Sequence, residues 1–287
     1  MYRVILTTVA LAFSGVTASA ETITVCASGC DYTSINAAIG AASDGDVIQL
    51  AAETYFEGTQ IDTLGKAITL RGVLDKAGEP ASVLDGAGSH RVLICQSGET
   101  NETVFQSLMI QNGYSGLGGG MYNSLSSPTF HRCYFLWNDS AGRGGAIANL
   151  DGSPLFVNCA FEENTAGVWG GAFYSARGGP EFLSCIVTNN TAIMGGGGMW
   201  AFFTSPRLEM TTVCNNYPGQ LNNVSDVIDS CVSEECSECC GMPNSEILSA
   251  CQPCLGDLDK NREVDAADLG ILLAFWATKG FPQADIN

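Results

Sequence analysis

The chain has 287 residues, with 30 Asp+Glu against 12 Lys+Arg and a formal net charge of −18. A surface of that sign repels nucleic acid and anionic membranes, so neither is expected as a partner. The 13 cysteines fit an oxidising compartment with some disulfides, and their odd number leaves at least one unpaired.

Residues 1–20 carry Arg3, an apolar run from Val4 to Phe13 and the small-residue site Ala18-Ser19-Ala20. That pattern predicts a secretory signal peptide, because the run is too short to span a bilayer. No later segment is apolar enough to cross one, so an exported protein is expected. From Tyr32 to Ala42, apolar positions at Ile35, Ala38, Ile39 and Ala42 follow a capping residue at Thr33 or Ser34, the spacing of a short amphipathic helix. Placed ahead of a strand at Val47 to Leu50, this helix would cover the open end of a solenoid, with Cys26 and Cys30 stapling it. Strand-like runs follow at Ala67 to Leu70, Ser82 to Leu84, Arg91 to Cys95 and Val104 to Ile110.

A strict register of 26 residues then takes over. Gly119, Gly145, Gly171 and Gly197 share it, as do Pro128, Pro154, Pro180 and Pro206, and Asn138, Asn164, Asn190 and Asn216. Between these turn residues run an apolar column, Met121, Ile147, Phe173 and Met199, and a small-residue column, Cys133, Cys159, Cys185 and Thr211. Short apolar columns separated by turn residues read as strands joined by tight corners, and a unit of this kind buries its face only by stacking on its neighbours. About seven coils and a parallel β-solenoid are therefore expected, with the cysteines as an inward thiol ladder and the asparagines bonding rung to rung.

Tyr122, Tyr174 and Trp200 share another column and are the candidate glycan contacts, packing being the alternative. His90 and His131 have no partner in register. The charged pairs in register, Asp151 with Arg177 and Glu181 with Arg207, are of opposite sign and read as surface salt bridges. Nothing in the repeats aligns as stacked carboxylates, so no catalytic residue is assigned.

After the repeats, Cys231, Cys236, Cys239, Cys240, Cys251 and Cys254 crowd one stretch, which reads as a disulfide-stapled loop with a four-cysteine zinc site as the alternative. Beyond it, Asp257, Asp259, Asn261, Asp265 and Asp268 place oxygen donors at loop positions 1, 3, 5, 9 and 12, with Glu263 at position 7 offering its carbonyl. Calcium needs six to eight hard oxygens about one point, and this alternation supplies them. Leu269, Leu272, Leu273 and Trp276 form an exiting amphipathic stripe.

Two resemblances rest on these residues. Gly145-Ala146-Ile147 and Gly171-Ala172-Phe173, with Phe135-Leu136-Trp137-Asn138 and Phe161-Glu162-Glu163-Asn164, resemble the GGA(I) and FxxN repeats of polymorphic outer-membrane-protein adhesins. The resemblance implies an all-β fold of the right-handed, single-stranded parallel β-helix class, also called pectin-lyase-like, whose amino-terminal cap and first coils Tyr32 to Gly72 also resemble. It departs from the adhesins in that no membrane barrel follows the repeats within these residues. The loop at Asp257 resembles a type I dockerin repeat, although Arg262 stands where glycine is usual and Ala266-Ala267 where dockerins carry a polar pair read by cohesins. The ending Ala284-Asp285-Ile286-Asn287 looks like the start of a second, cut-off loop.

The expected division is a signal peptide at 1–20, a cap at 21–45, a β-helix at 46–221, a cysteine-rich linker at 222–254 and an incomplete calcium-loop repeat at 255–287. The expected function is a secreted, noncatalytic β-helix protein for adhesion or cell-envelope structure. Its calcium-dependent dockerin-like module would attach it to a cohesin-like or cell-envelope protein, and a polysaccharide is a further partner. A polysaccharide lyase or glycoside hydrolase of the pectin-lyase-like fold is the rival reading.

Overall fold

The computed structural model describes residues 20–236. The expected signal peptide, most of the cysteine-rich linker and all of the calcium loop, with Asp257, Asp259, Asn261, Glu263, Asp265 and Asp268, lie outside them.

The described chain winds as a parallel β-solenoid. In one circuit Thr129–His131, Tyr134–Leu136, Asp139–Arg143 and Ile147–Leu150 follow one another. Leu155–Val157 then lies in register beside Thr129–His131, with Phe156 opposite Phe130. Repetition gives three long parallel sheets of nine, eight and seven strands and a four-stranded one, about eight turns in all. Eight spacings in the longest sheet make the rod about 38 Å long at ~4.8 Å per strand. Paired strands run past both ends of the 46–221 span: Thr22–Val25 lies parallel to Val47–Leu50, and Cys231–Ser233 to Thr212–Cys214.

The corners have a common construction. Ala87, Asn112, Trp137, Glu163, Asn189 and Asn215 hold φ between 51° and 58°. Ser107, Arg132, Asn158, Ser184 and Met210 (49° to 56°) and Leu125, Asp151, Arg177, Phe203 and Asn223 (52° to 63°) do the same at two further corners. One left-handed residue turns the chain sharply enough to start the next strand. For that reason Val104 to Ile110, expected as one run, is two strands, Val104–Gln106 and Leu108–Gln111, broken at Ser107.

Behind the first two corner columns run two buried ladders. Cys133, Cys159 and Cys185 point inward and are unpaired thiols, with Cys133 Sγ donating to the Phe105 carbonyl at 3.4 Å. Asn138, Asn164, Asn190 and Asn216 are also buried. The Nδ2 of each of the first three donates to the next Oδ1 along the rod, at 3.0, 2.9 and 2.9 Å, and to a carbonyl in the coil before it, and Asn216 Nδ2 ends the ladder on Gln220 Oε1 at 2.7 Å. On the strands that precede the cysteine corner Phe105, Phe130, Phe156 and Phe182 stack inside the rod at 4.7, 5.1 and 4.8 Å.

The helix, Ile35–Ala41, is shorter than the expected Tyr32 to Ala42 and is capped by Ser34. It has no acidic residue in its first turn and no basic residue in its last, and the next coil supplies both. Glu57 accepts from Ser34 Oγ and the Ile35 N–H, each at 2.7 Å, while Lys66 Nζ donates to the carbonyls of Ile39 (2.6 Å), Gly40 (3.0 Å) and Ala42 (2.7 Å). Opposite charges thus sit at the helix ends that favour them. Cys26 and Cys30 form a disulfide beside this element, and Cys214 pairs with Cys236.

Candidate functional site

Tyr122, Tyr174 and Trp200 point outward from one sheet, in the register Tyr122 to Ala148 to Tyr174 to Trp200. The column is half-roofed by the preceding corner. Arg143, Trp169 and Gly195 bridge in register there, each one coil from the next. The Arg143 guanidinium lies 4.6 Å from the Trp169 ring and 5.2 Å from the Tyr174 ring, and its Nη1 donates to Tyr174 Oη at 3.2 Å. Trp169 stacks on Trp200 at 5.2 Å. Gly195 leaves room for that ring, since a Cβ there would come within 2.7 Å of it. Tyr174 is consequently only 3% exposed, and Trp200 is half-buried.

Arg91 repeats the arrangement over Tyr122, 5.1 Å from its centroid. Its guanidinium donates to Gln60 Oε1 (2.9 Å), Ser115 Oγ (2.8 Å) and the carbonyls of Leu117 (2.9 Å) and Gly118 (3.0 Å). Burial pulls its pKa below the usual arginine value, Tyr122 opposing. The strip is thus a cation–π and ring stack in which the flat faces of Tyr122 and Tyr174 are taken by guanidinium groups, leaving only parts of Tyr122 and Trp200 to solvent. Arg91, Arg143 and Trp169 do not figure among the residues singled out in sequence. The signal existed: Arg143, Trp169 and Gly195 obey the 26-residue step.

Elsewhere the outward face carries the expected ion pairs. Arg177 grips Asp151 through Nε and Nη2 at 2.5 and 2.6 Å, which lowers the Asp151 carboxyl pKa. Arg207 lies 3.7 Å from Glu181 and 2.5 Å from Glu209. Among the described residues no cluster of His, Cys, Asp or Glu has the geometry to hold a metal, and no helix is long and apolar enough to cross a membrane.

Residues 158–176 match the repeat of the Chlamydia polymorphic membrane protein family (Chlamydia_PMP). The matched stretch covers two left-handed corners, at Asn158 and Glu163, the ladder residues Cys159 and Asn164, and the strands Ala160–Glu162, Thr165–Ala166 and Phe173–Ala176. No curated protein matches the chain. The chain is a parallel β-solenoid with repeats similar to those of polymorphic membrane proteins.

Proposed function

We propose that this is a secreted, noncatalytic β-helix protein for adhesion or cell-envelope structure, held in place by a calcium-dependent, dockerin-like module at residues 255–287. The observation that carries the surface-adhesion part is the match of residues 158–176 to a polymorphic membrane protein repeat. The matched residues make the inner ladders, so such repeats serve to build a rod whose outer face is free to contact a partner. The in-register outward charges support the noncatalytic reading, because they are tied up as opposite-sign pairs. We read the winding as right-handed and pectin-lyase-like, with the helix Ile35–Ala41 as its cap. The attachment part rests on the oxygen donors of Asp257, Asp259, Asn261, Glu263, Asp265 and Asp268, which converge only around a cation.

Incubating the full chain with labelled plant and algal polysaccharides tests the noncatalytic claim. No release of soluble fragments is expected. Fragment release that disappears on replacing Asp151 or Arg177 would establish the lyase or hydrolase in its place.

A further inference from the structure

Away from the Tyr122 column, the second corner of the early coils opens into a cleft of about 360 Å³ lined by Ala87, Gly88, Asn112, Gly113, Tyr114, Trp137 and Asp139. We infer that this cleft is a carbohydrate-binding site for a neutral glycan, with the Trp137 indole as its stacking platform and Tyr114 as its second ring.

The register sets the geometry. Asn112 and Trp137 are successive residues of one left-handed corner column, with Ala87 left-handed at the corner of the coil before them, and Tyr114 pairs with Asp139 on the neighbouring strands. The cleft therefore runs along the rod axis over three coils, about 10 Å at the strand spacing, roughly the length of two pyranose rings. Trp137 and Tyr114 are 51% and 44% exposed. A left-handed backbone does not itself single Trp137 out, since Leu125 and Phe203 adopt it at another corner. Its orientation does. The indole N–H donates to Glu163 Oε2, one coil further on, at 2.5 Å, so an exposed ring is held in one pose. At this corner the other coils carry Ala, Asn or Glu, residues that offer no ring.

Polar groups surround the rings where a sugar would present hydroxyls. Asp139 is exposed, and Asn112 is pinned through its Nδ2 to Asp85 at 2.8 Å. At Gly88 a Cβ would meet nothing within 4 Å, so the floor is open there. Aromatic faces pack on the C–H faces of a pyranose while carboxylate and amide groups take its hydroxyls, the mix of a few rings and a few convergent polar groups that small-ligand sites use. The core of a protein–protein interface is depleted in charged residues, whereas here Asp139 and Glu163 stand beside the ring. Acidic sugars are disfavoured by the same carboxylates and by the net charge of −18.

The proposal names a ligand class within the surface-adhesion reading, and its test does not depend on attachment to cells. The full chain is titrated with neutral cello-, xylo- and manno-oligosaccharides and with oligogalacturonate, followed by calorimetry and tryptophan fluorescence. Saturable binding of at least one neutral oligosaccharide is expected. It should weaken on the order of tenfold or more in Trp137→Asn and Tyr114→Ala, the loss typical of a stacked aromatic anchor, and be unchanged in Leu125→Ala. Trp137→Asn installs the residue that Asn112, Asn189 and Asn215 place at this corner, so its melting temperature should hold or rise while binding goes. Absence of neutral-sugar binding, binding indifferent to Trp137→Asn, or preference for oligogalacturonate would overturn the inference. Cell attachment lost with sugar binding intact would count against the adhesion reading alone.

Discussion

Replacing Asn164 by alanine should cost far more than any loss of apolar contact. Asn164 is fully buried, and its amide serves four groups. Its Oδ1 accepts from the Asn138 N–H and Asn138 Nδ2, each at 3.0 Å, and its Nδ2 donates to the Phe135 carbonyl and to Asn190 Oδ1, each at 2.9 Å. In the variant Asn138 Nδ2 keeps the Ile110 carbonyl and Asn190 Oδ1 keeps the Asn164 N–H. The Asn138 N–H and the Phe135 carbonyl lose their side-chain partner inside the rod. At about 1–3 kcal/mol for each buried group left unsatisfied, the expected loss is about 4 kcal/mol. For a domain of this size that is a fall of about 8–16 °C in melting temperature. Asn189→Gly is the control: glycine accepts the left-handed backbone at this position, and the Asn189 side chain makes one exposed bond, to Glu162 at 3.1 Å, so its loss should shift stability by less than about 1 kcal/mol. Thermal unfolding followed by circular dichroism measures both. Equal shifts for the two variants would refute the ladder as a source of stability.

Three further outcomes follow from buried groups. Glu99 is 2% exposed and accepts from the hydroxyls of Thr63 (2.8 Å) and Ser126 (2.7 Å) and the N–H groups of Gly65 (3.0 Å) and Ser97 (2.9 Å). Burial pushes its pKa up, but these donors outweigh it and hold the carboxyl below the usual range. A depressed carboxyl stabilises the fold above its unfolded pKa. The melting temperature should therefore be flat above about pH 5 and fall below about pH 4, with a shallower acid limb in Glu99→Gln. Arg143→Ala should remove about 1–2 kcal/mol in urea unfolding and raise acrylamide quenching of Trp169, whose face it uncovers; unchanged quenching would disprove the roof. Burial raises the Cys95, Cys133 and Cys185 thiols well above the ordinary thiol range. Peptide mapping after iodoacetamide treatment should find them unmodified in the native protein and modified only after unfolding.

The 26-residue step was enough to read the solenoid, its inward thiols and its asparagine rungs, because each is a column repeated on one spacing. What escaped that reading has other causes. The caps of the helix come from Glu57 and Lys66, in the following coil, so no rule about neighbouring residues finds them. Thr22–Val25, four β-branched residues in alternation, pairs with Val47–Leu50, but it lies ahead of the 26-residue register, so the repeat alone does not find it. Left-handed corners at Leu125, Trp137 and Phe203 carry residues that disfavour that backbone, so composition hides them. Trp137 was visible within the FxxN motif as a spacer residue; only its exposure and its bond to Glu163 show it as a fixed ring. The Tyr122, Tyr174 and Trp200 column was legible as outward-facing, but the guanidinium cover came from side chains of a different column.

The central claim, a β-helix rod that attaches through a calcium-dependent module, is tested most directly by immobilising the full chain on beads. Retention of the beads on envelopes of the native host is then measured in calcium, after chelation and in Asp257→Ala. The account predicts retention in calcium, loss on chelation, recovery when calcium is restored and little retention of Asp257→Ala under any condition. Equal retention with and without calcium, or none at all, would contradict it.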